Sequence, residues 1–518
     1  MVNSFNLVDE NWIPVAGAGM VSLRRIFSDP SLKSLGGNPI QKIAVLKLLL
    51  AIAQTAATPQ DDEEWLAMGT EGMAKKCLDY LEAKKDCFWL YGDKPFLQMP
   101  GIDKAEIKEF GVCLPYVANG NTTLLSQINK EQFLFDSEKA LLILMSMGFG
   151  LGGGKCDNSI VLSPGYLKKS NEKGKPSTGK PGPSIGFWGY LHNFLLGNNL
   201  WDTVWLNLFT NENIDVLKIF PEGLGNPPWE APPVGEDCLV AKSLQRTLMG
   251  RYIPYSRFVL LKSNGIHFSE GVLHGTYNEG VVDPSIAVEY SGKKNKVIWV
   301  DPNKRPWRSL SSILTFLETQ SNNGFDSIQL RIGINRIRSQ PRNFGIWSGG
   351  LRASGQTAGE QKVSGDDDFV ESEVMLNTKS LGSFLLANLR SEMTTLEDIS
   401  KMTYGTILGY YKDLKTEGKK IAEQGSNLFW QLCERHFQKL IDYCSEPEAQ
   451  NILSLRLKFA GIVNQVYNSF CPNDTARQLE AWAKNQPRLG LYLKGESTPI
   501  KKDKEKGKSK QIELEGMK

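Results

Sequence analysis

No CxxC pair occurs anywhere in the 518 residues. The eight cysteines, at positions 77, 87, 113, 156, 238, 433, 444 and 471, stand singly, which argues against a disulfide framework or a zinc ribbon and for reduced, packed thiols. Histidine is scarce, at four residues, and no nucleophile, metal-ligand set or paired acid accompanies it, so neither an enzyme nor a bound cofactor is expected. Long apolar runs are missing: Ile43–Ala53, the most apolar stretch, contains Lys47 and is well short of the roughly 20 residues that span a bilayer. The opening MVNSFNLVDENW has no basic start, apolar run or small-residue cleavage site, which points to the cytoplasm and away from any membrane. An excess of one charge is absent as well. Sixty Lys plus Arg against 57 Asp plus Glu give +3, so local clustering must decide whether the partner is a polyanion.

What is present is an ordinary globular composition, 41% apolar and 23% charged, in a chain long enough for two to four domains at roughly 150 residues each. Glycine, with 49 residues, gathers at 148–154, 174–189 and 345–365. Up to about residue 375, short β-rich runs such as Arg257–Leu261 and Val297–Val300 mix with helical segments and Pro/Gly breaks, the pattern of a large α+β body. Pro39 followed by IAVLKLLLAIAQ predicts a helix ending before Pro59, and Asp136 is the expected N-cap of a second helix that stops at Gly148. Past Asn377 strand signals vanish, and amphipathic helices are expected near 381–393, 396–414, 426–444 and 446–470. Ser445 and Glu448 form a candidate capping box for the last, whose stripe is Ile452, Leu455, Phe459, Ile462, Val466 and Phe470. The expected organisation is thus a mixed α/β domain over 1–375, a helical bundle over 376–497 and a disordered Lys-rich tail over 498–518. No internal repeat is found.

Four clusters carry candidate chemistry. Gly148-Phe149-Gly150-Leu151-Gly152-Gly153-Gly154-Lys155 would let backbone N–H groups approach a phosphate or base edge, although Cys156 breaks the GxxxxGK[ST] pattern; the competing reading is a connector after a helix. Lys168, Lys169, Lys173, Lys175 and Lys180 suit sequence-independent phosphate contact, or form a plain solvated loop. Arg331, Arg336, Arg338, Arg342 and Arg352 offer planar donor forks for phosphate. Gly349–Thr357 is a glycine-bounded loop with a polar tip, or a simple hairpin turn. His267 and His274, seven apart in a β region, fall on opposite faces, and His436 reads as a bundle-edge residue. Asp61–Glu64 and Asp366–Asp368 are minor candidates for metal binding.

Several segments, in order, resemble one family: Phe5–Val15 with Val21-Ser22-Leu23-Arg24, then Lys94–Gln98, the glycine cluster, and Asn226-Pro227-Pro228-Trp229. They continue with Asp301-Pro302, Pro306–Leu310 and Gly349-Gly350-Leu351-Arg352. The chain is similar to the CasA (Cse-type) family, the large subunit of the type I-E CRISPR surveillance complex, Cascade. That resemblance implies an α/β N-terminal body with a C-terminal four-helix bundle. It implies a subunit that recognises the protospacer-adjacent motif in double-stranded DNA, helps start strand separation and recruits a helicase-nuclease. By position, Gly152, Gly153, Gly154 and Lys155 resemble the motif-reading loop, and Gln356 resembles the strand-separating wedge, with Arg352 as its backbone brace. Leu125, Ser126, Gln127, Asn129 and Lys130 lie in the segment resembling the loop that anchors to the guide RNA 5′ handle and neighbouring subunits, without an aromatic match. Lys262 stands nearest the hairpin lysine of relatives, and with Arg336 and Arg338 it joins the expected DNA-backbone contacts. The cysteine-rich metal site of some relatives is absent from the sequence, so no zinc is expected. A nucleotide-binding enzyme and a passive RNA-binding scaffold are the competing classes.

Overall fold

The computed structural model describes residues 4–114, 133–149, 157, 189–290, 295–317, 324–352, 369–381, 383–446 and 452–494. Gly152, Gly153, Gly154, Lys155, the lysine stretch 168–180, Gln356, the segment Leu125–Lys130, Asp366–Asp368 and the 498–518 tail lie outside these residues.

The chain divides into two units, Met1–Leu386 and Ala387–Lys518, against the boundary expected at 375. In the first, the helix Pro39–Ala57 is nearly all buried. Asn38 starts it, its side chain accepting from the Gln41 amide while the Gln41 side chain accepts from the Asn38 amide. By length and composition this helix would also cross a bilayer. Here its apolar surface is covered by protein, and Lys47 within it pairs with Asp283. Beside it runs the helix Asp62–Ala83, capped by Asp61, whose carboxylate accepts from the Glu64 amide at 2.8 Å. Glu64 in turn accepts from the Gln60 amide, so this acidic cluster caps a helix and is not gathered as a metal site.

Among the described residues, strands form five small sheets. The one that organises the candidate site is antiparallel, with Asn343–Leu351 between His192–Leu196 and Phe369–Asn377. Another is the hairpin Arg257–Lys262 with Gly265–Glu270, extended by Ile107–Lys108. Val297 lies in the strand Lys296–Val297, and Trp299 bridges to Tyr190 beyond it.

A stack of four side chains ties helices to this body. Trp65 and Trp205 lie face to face, ring centroids 3.6 Å apart, each indole N–H donating to the other residue's carbonyl. Arg336 covers Trp65 at 4.7 Å and Arg342 covers Trp205 at 5.6 Å.

Among the described residues of the second unit the regular elements are all helices. The segments expected as 381–393 and 396–414 are one helix, Ser383–Asp413: Thr394 and Thr395, which read as a break, donate their hydroxyls to the Arg390 and Ser391 carbonyls one turn back. The expected 426–444 helix is instead two, Lys419–Glu434 and Phe437–Ser445, separated at Arg435-His436. Ser445 ends the second of these, donating to the Ile441 carbonyl, rather than capping the next helix; Glu448 is outside the described residues. Ile452–Phe470 follows, with Leu455, Phe459, Ile462 and Val466 buried as the stripe predicts, and two short helices, Ala476–Lys484 and Gly490–Lys494, were not foreseen.

Candidate nucleic-acid interface

The helix Asp136–Phe149 carries the chain to the glycine cluster. Asp136 is its first helical residue rather than its cap, and accepts a hydrogen bond from the Tyr91 hydroxyl at 2.6 Å. Glu138 instead reaches back to the Phe135 amide. At the helix end, the Phe149 ring packs edge-on against His192, centroids 5.6 Å apart. His192 opens the strand His192–Leu196 and stands opposite Gly349 of the central strand, three residues before Arg352. Phe149, the last described residue before 150–156, and Gly349, on the strand that ends just before Arg352, are thus both neighbours of His192. Asp157 donates its amide to the Phe268 carbonyl of the hairpin sheet at 2.9 Å, and Gly189, three residues before His192, accepts from the Val300 amide at 2.9 Å.

His192 is held by a buried polar array. Its Nδ1 lies 2.8 Å from Ser285 Oγ, which donates to Asp283 Oδ1 at 2.7 Å, so Nδ1 is the donor in the first pair. The other Asp283 oxygen takes Lys47 Nζ, which also donates to the Arg251 carbonyl at 3.2 Å. Burial alone would raise the Asp283 pKa, but Lys47, His192 and Ser285 outweigh it and hold the carboxyl at about 2. His192, Ser285, Asp283 and Lys47 are each no more than 4% exposed, so this Ser-His-Asp grouping fixes a strand and reaches no substrate. Next to it, Asn193 donates to the Leu191 and Ser285 carbonyls and accepts from the Ser348 hydroxyl at 2.6 Å. Gly349 is required by the same packing: a Cβ there would lie 2.6 Å from the Trp347 ring and 3.0 Å from the Val370 carbonyl.

Four of the residues expected to touch DNA are described. Lys262 is the last residue of its strand before the Ser263-Asn264 turn, at the tip of the hairpin. Arg352 is half-buried and lines a cleft of about 370 Å³ beyond the central strand. Arg338 is exposed at a helix end and gives one nitrogen to the Leu381 carbonyl at 3.0 Å. Arg336 is a correction. Its side chain is 2% exposed, donating to Asp62, the Leu208 carbonyl and Asn213. Burial pulls its pKa below the usual arginine value, and no phosphate reaches it. Its neighbours are committed likewise: Arg331 to Asp326, and Arg342 to both oxygens of Asp202 at 2.7 and 2.6 Å. The cluster that reads as a phosphate surface is mainly internal stapling.

Two further histidines are each held by a main-chain carbonyl. His267, in the strand Gly265–Glu270, has Nδ1 on the Ala105 carbonyl, and burial lowers its pKa. His274, past the strand, has Nε2 on the Pro254 carbonyl and is lowered to about 4 by burial. Sequence reasoning missed the part played by His192, Ser285 and Asp283, since nothing local to His192 signals partners more than 90 residues away.

Comparison with known proteins agrees with this architecture. Residues 6–466 match the family described as CRISPR-associated protein Cse1. The curated CasA/Cse1 protein of Thermus thermophilus is 26% identical over 347 residues, covering 60% of this chain and 61% of the relative, so the chain matches about three fifths of that protein's length. The crystal structure of Thermus thermophilus CasA superposes with a TM-score of 0.69 at 20% identity, over 95% of this chain and 100% of that one. Thermobifida fusca Cse1 does so with a TM-score of 0.70 at 18% identity, over 95% and 99%. A chain of a CRISPR RNA-guided surveillance complex is similar at a TM-score of 0.63 and 12% identity, over 93% and 99%; these likenesses speak to the fold. With nearly its whole described length matched, the chain belongs to the CRISPR-associated Cse1 (CasA) family.

Proposed function

We propose that the chain is the large subunit of a type I-E RNA-guided surveillance complex, and that it reads the protospacer-adjacent motif in duplex DNA and starts strand separation. The observation that supports this reading most is that Phe149, just before the glycine segment, and Gly349, on the strand that leads to the 353–368 link, are both neighbours of His192. A motif reader and a wedge must act on adjacent base pairs, so a shared root is what the two roles require. Glycines at 152–154 allow main-chain donors into a minor groove, where width and a degenerate edge pattern are read. Gln356 enters beside the motif, Arg352 braces the backbone, and guide pairing then reads the rest of the target. The lysines at 168–180, with Lys262 and Arg338, supply sequence-independent attraction. Leu125–Lys130 anchors the subunit to the guide RNA 5′ handle and to backbone and small subunits, and another face receives the helicase-nuclease. The subunit acts in the cytoplasm and is not itself an enzyme. The name of the similar surveillance-complex chain supports this assignment. The test is binding of the assembled complex to duplexes carrying a randomised motif. Enrichment of a short motif that disappears when this subunit is omitted is expected; equal retention of all motifs would reject the reading.

A further inference from the structure

The Asp301-Pro302 and Pro306–Leu310 motifs have no part in the account so far, yet they build one wall of the 370 Å³ cleft that Arg352 lines. The other residues that matter there are Leu191, Trp299, Asp301, Lys304 and Val370. That volume is at the lower end of small-molecule sites, with room for one nucleotide.

The walls are built rather than incidental. Trp299 is fixed by a short antiparallel ladder, in which the Leu191 amide donates to the Ile298 carbonyl at 3.0 Å and the Val300 amide to the Gly189 carbonyl at 2.9 Å. Trp299 is partly buried, and its ring lies 5.2 Å from the buried Tyr190 ring, which packs on Tyr277 at 6.1 Å, so an aromatic layer backs it. A tight turn follows: Asp301 accepts from the Asn303 amide through its side chain and from the Lys304 amide through its carbonyl, both at 2.9 Å. Pro306 and Trp307 are buried behind the turn, leaving Lys304 exposed on it. Among the described lining residues Arg352 and Lys304 place two cations beside the single carboxylate of Asp301, a setting suited to a phosphodiester.

We propose that this cleft takes one unpaired DNA nucleotide, its base against Trp299 and its phosphate between Arg352 and Lys304. An aromatic platform beside cations is the general means of holding a single strand without reading its sequence. DNA is assigned as the source because the cleft lies where the 353–368 link leaves and rejoins the sheet, at Arg352 and Val370; that assignment rests on the strand-opening reading above.

The experiment uses the full chain and an oligothymidylate of about ten nucleotides carrying 5-iododeoxyuridine, with oligouridylate as the RNA arm. Photocrosslinking should label Trp299. Trp299→Ala should weaken oligothymidylate binding roughly tenfold, the loss of one base stack, while Trp299→Phe retains most of it. Lys304→Ala, on the exposed turn, should lower the slope of log affinity against log salt by about 0.7. Crosslinks that avoid Trp299, or a Lys304→Ala variant with wild-type affinity and slope, would overturn the cleft; oligouridylate binding more tightly and crosslinking there would overturn the DNA assignment. Motif discrimination by the assembled complex is read separately. Its persistence in Trp299→Ala is expected, and its absence from the wild type would sink the proposed function while leaving the cleft result standing.

Discussion

Replacing Asp283 by Asn keeps the shape of the side chain and removes the carboxylate that faces Lys47, Ser285 and His192. Two costs can be separated. The folded carboxyl titrates at about 2 against an ordinary 3.8, and at about 1.4 kcal/mol per pH unit the difference is about 2–3 kcal/mol. That contribution is complete above pH 3.8 and is lost as the pH falls towards 2, because the folded pKa is the lower one. The substitution costs more than this, since it also leaves the Lys47 ammonium buried without a counter-charge; breaking such a pair costs about 3–5 kcal/mol. Hydrogen exchange of peptides from 39–57 across a urea series reads the stability of the unit in which the pair sits. Asp283→Asn should lower it by about 3–5 kcal/mol at pH 7, and Lys47→Met added to Asp283→Asn should restore most of the loss, because no charge is then stranded. A loss below about 0.5 kcal/mol, or a double variant as weak as the single, would refute the claim that this pair fixes the sheet end.

Arg336→Ala should destabilise the first unit by about 1–3 kcal/mol, by leaving the buried Leu208 carbonyl without its donor and uncovering Trp65, while the exposed Asp62 carboxylate is taken up by water, with the salt dependence of DNA binding unchanged; thermal melting with a salt titration checks both halves. Alanine at Lys168, Lys169, Lys173, Lys175 and Lys180 together should weaken duplex binding about equally for all sequences and flatten the log–log salt slope by roughly 0.9 for each lost phosphate contact. An unaltered slope would remove these lysines from the DNA. Gln356→Ala should leave melting unchanged and slow strand opening on a negatively supercoiled target, since unstacking costs a few kcal/mol per step. Stopped-flow opening rates equal to wild type would deny it the wedge role.

The core helix was legible because its signals are local: Asn38 and Pro39 start it, and an unbroken apolar run follows. The 31-residue helix was not, because Thr394 and Thr395 interrupt the apolar pattern while their hydroxyls bond harmlessly to the preceding turn. The arginine cluster misled for a related reason. Asp62 and Asp202 neutralise Arg336 and Arg342 from 274 and 140 residues away, and no window of sequence places them together. The candidate site was legible as motifs, since glycine and arginine stand out by type, but its common root on His192 depends on strand register. The wall holding Trp299 and Lys304 was visible only as the Asp301-Pro302 and Pro306–Leu310 motifs, with no hint that they face Arg352.

The most direct measurement compares the affinities of the assembled complex for matched duplexes that differ only in the motif, using Gly153→Val. A β-branched side chain restricts the backbone and keeps it from the base edges. The variant should still fold and assemble, with the affinity ratio between correct and incorrect motifs collapsing towards one. A preserved ratio, with at most a stability loss on the order of 1 kcal/mol, would mean that the glycine segment is a connector and that motif reading lies elsewhere.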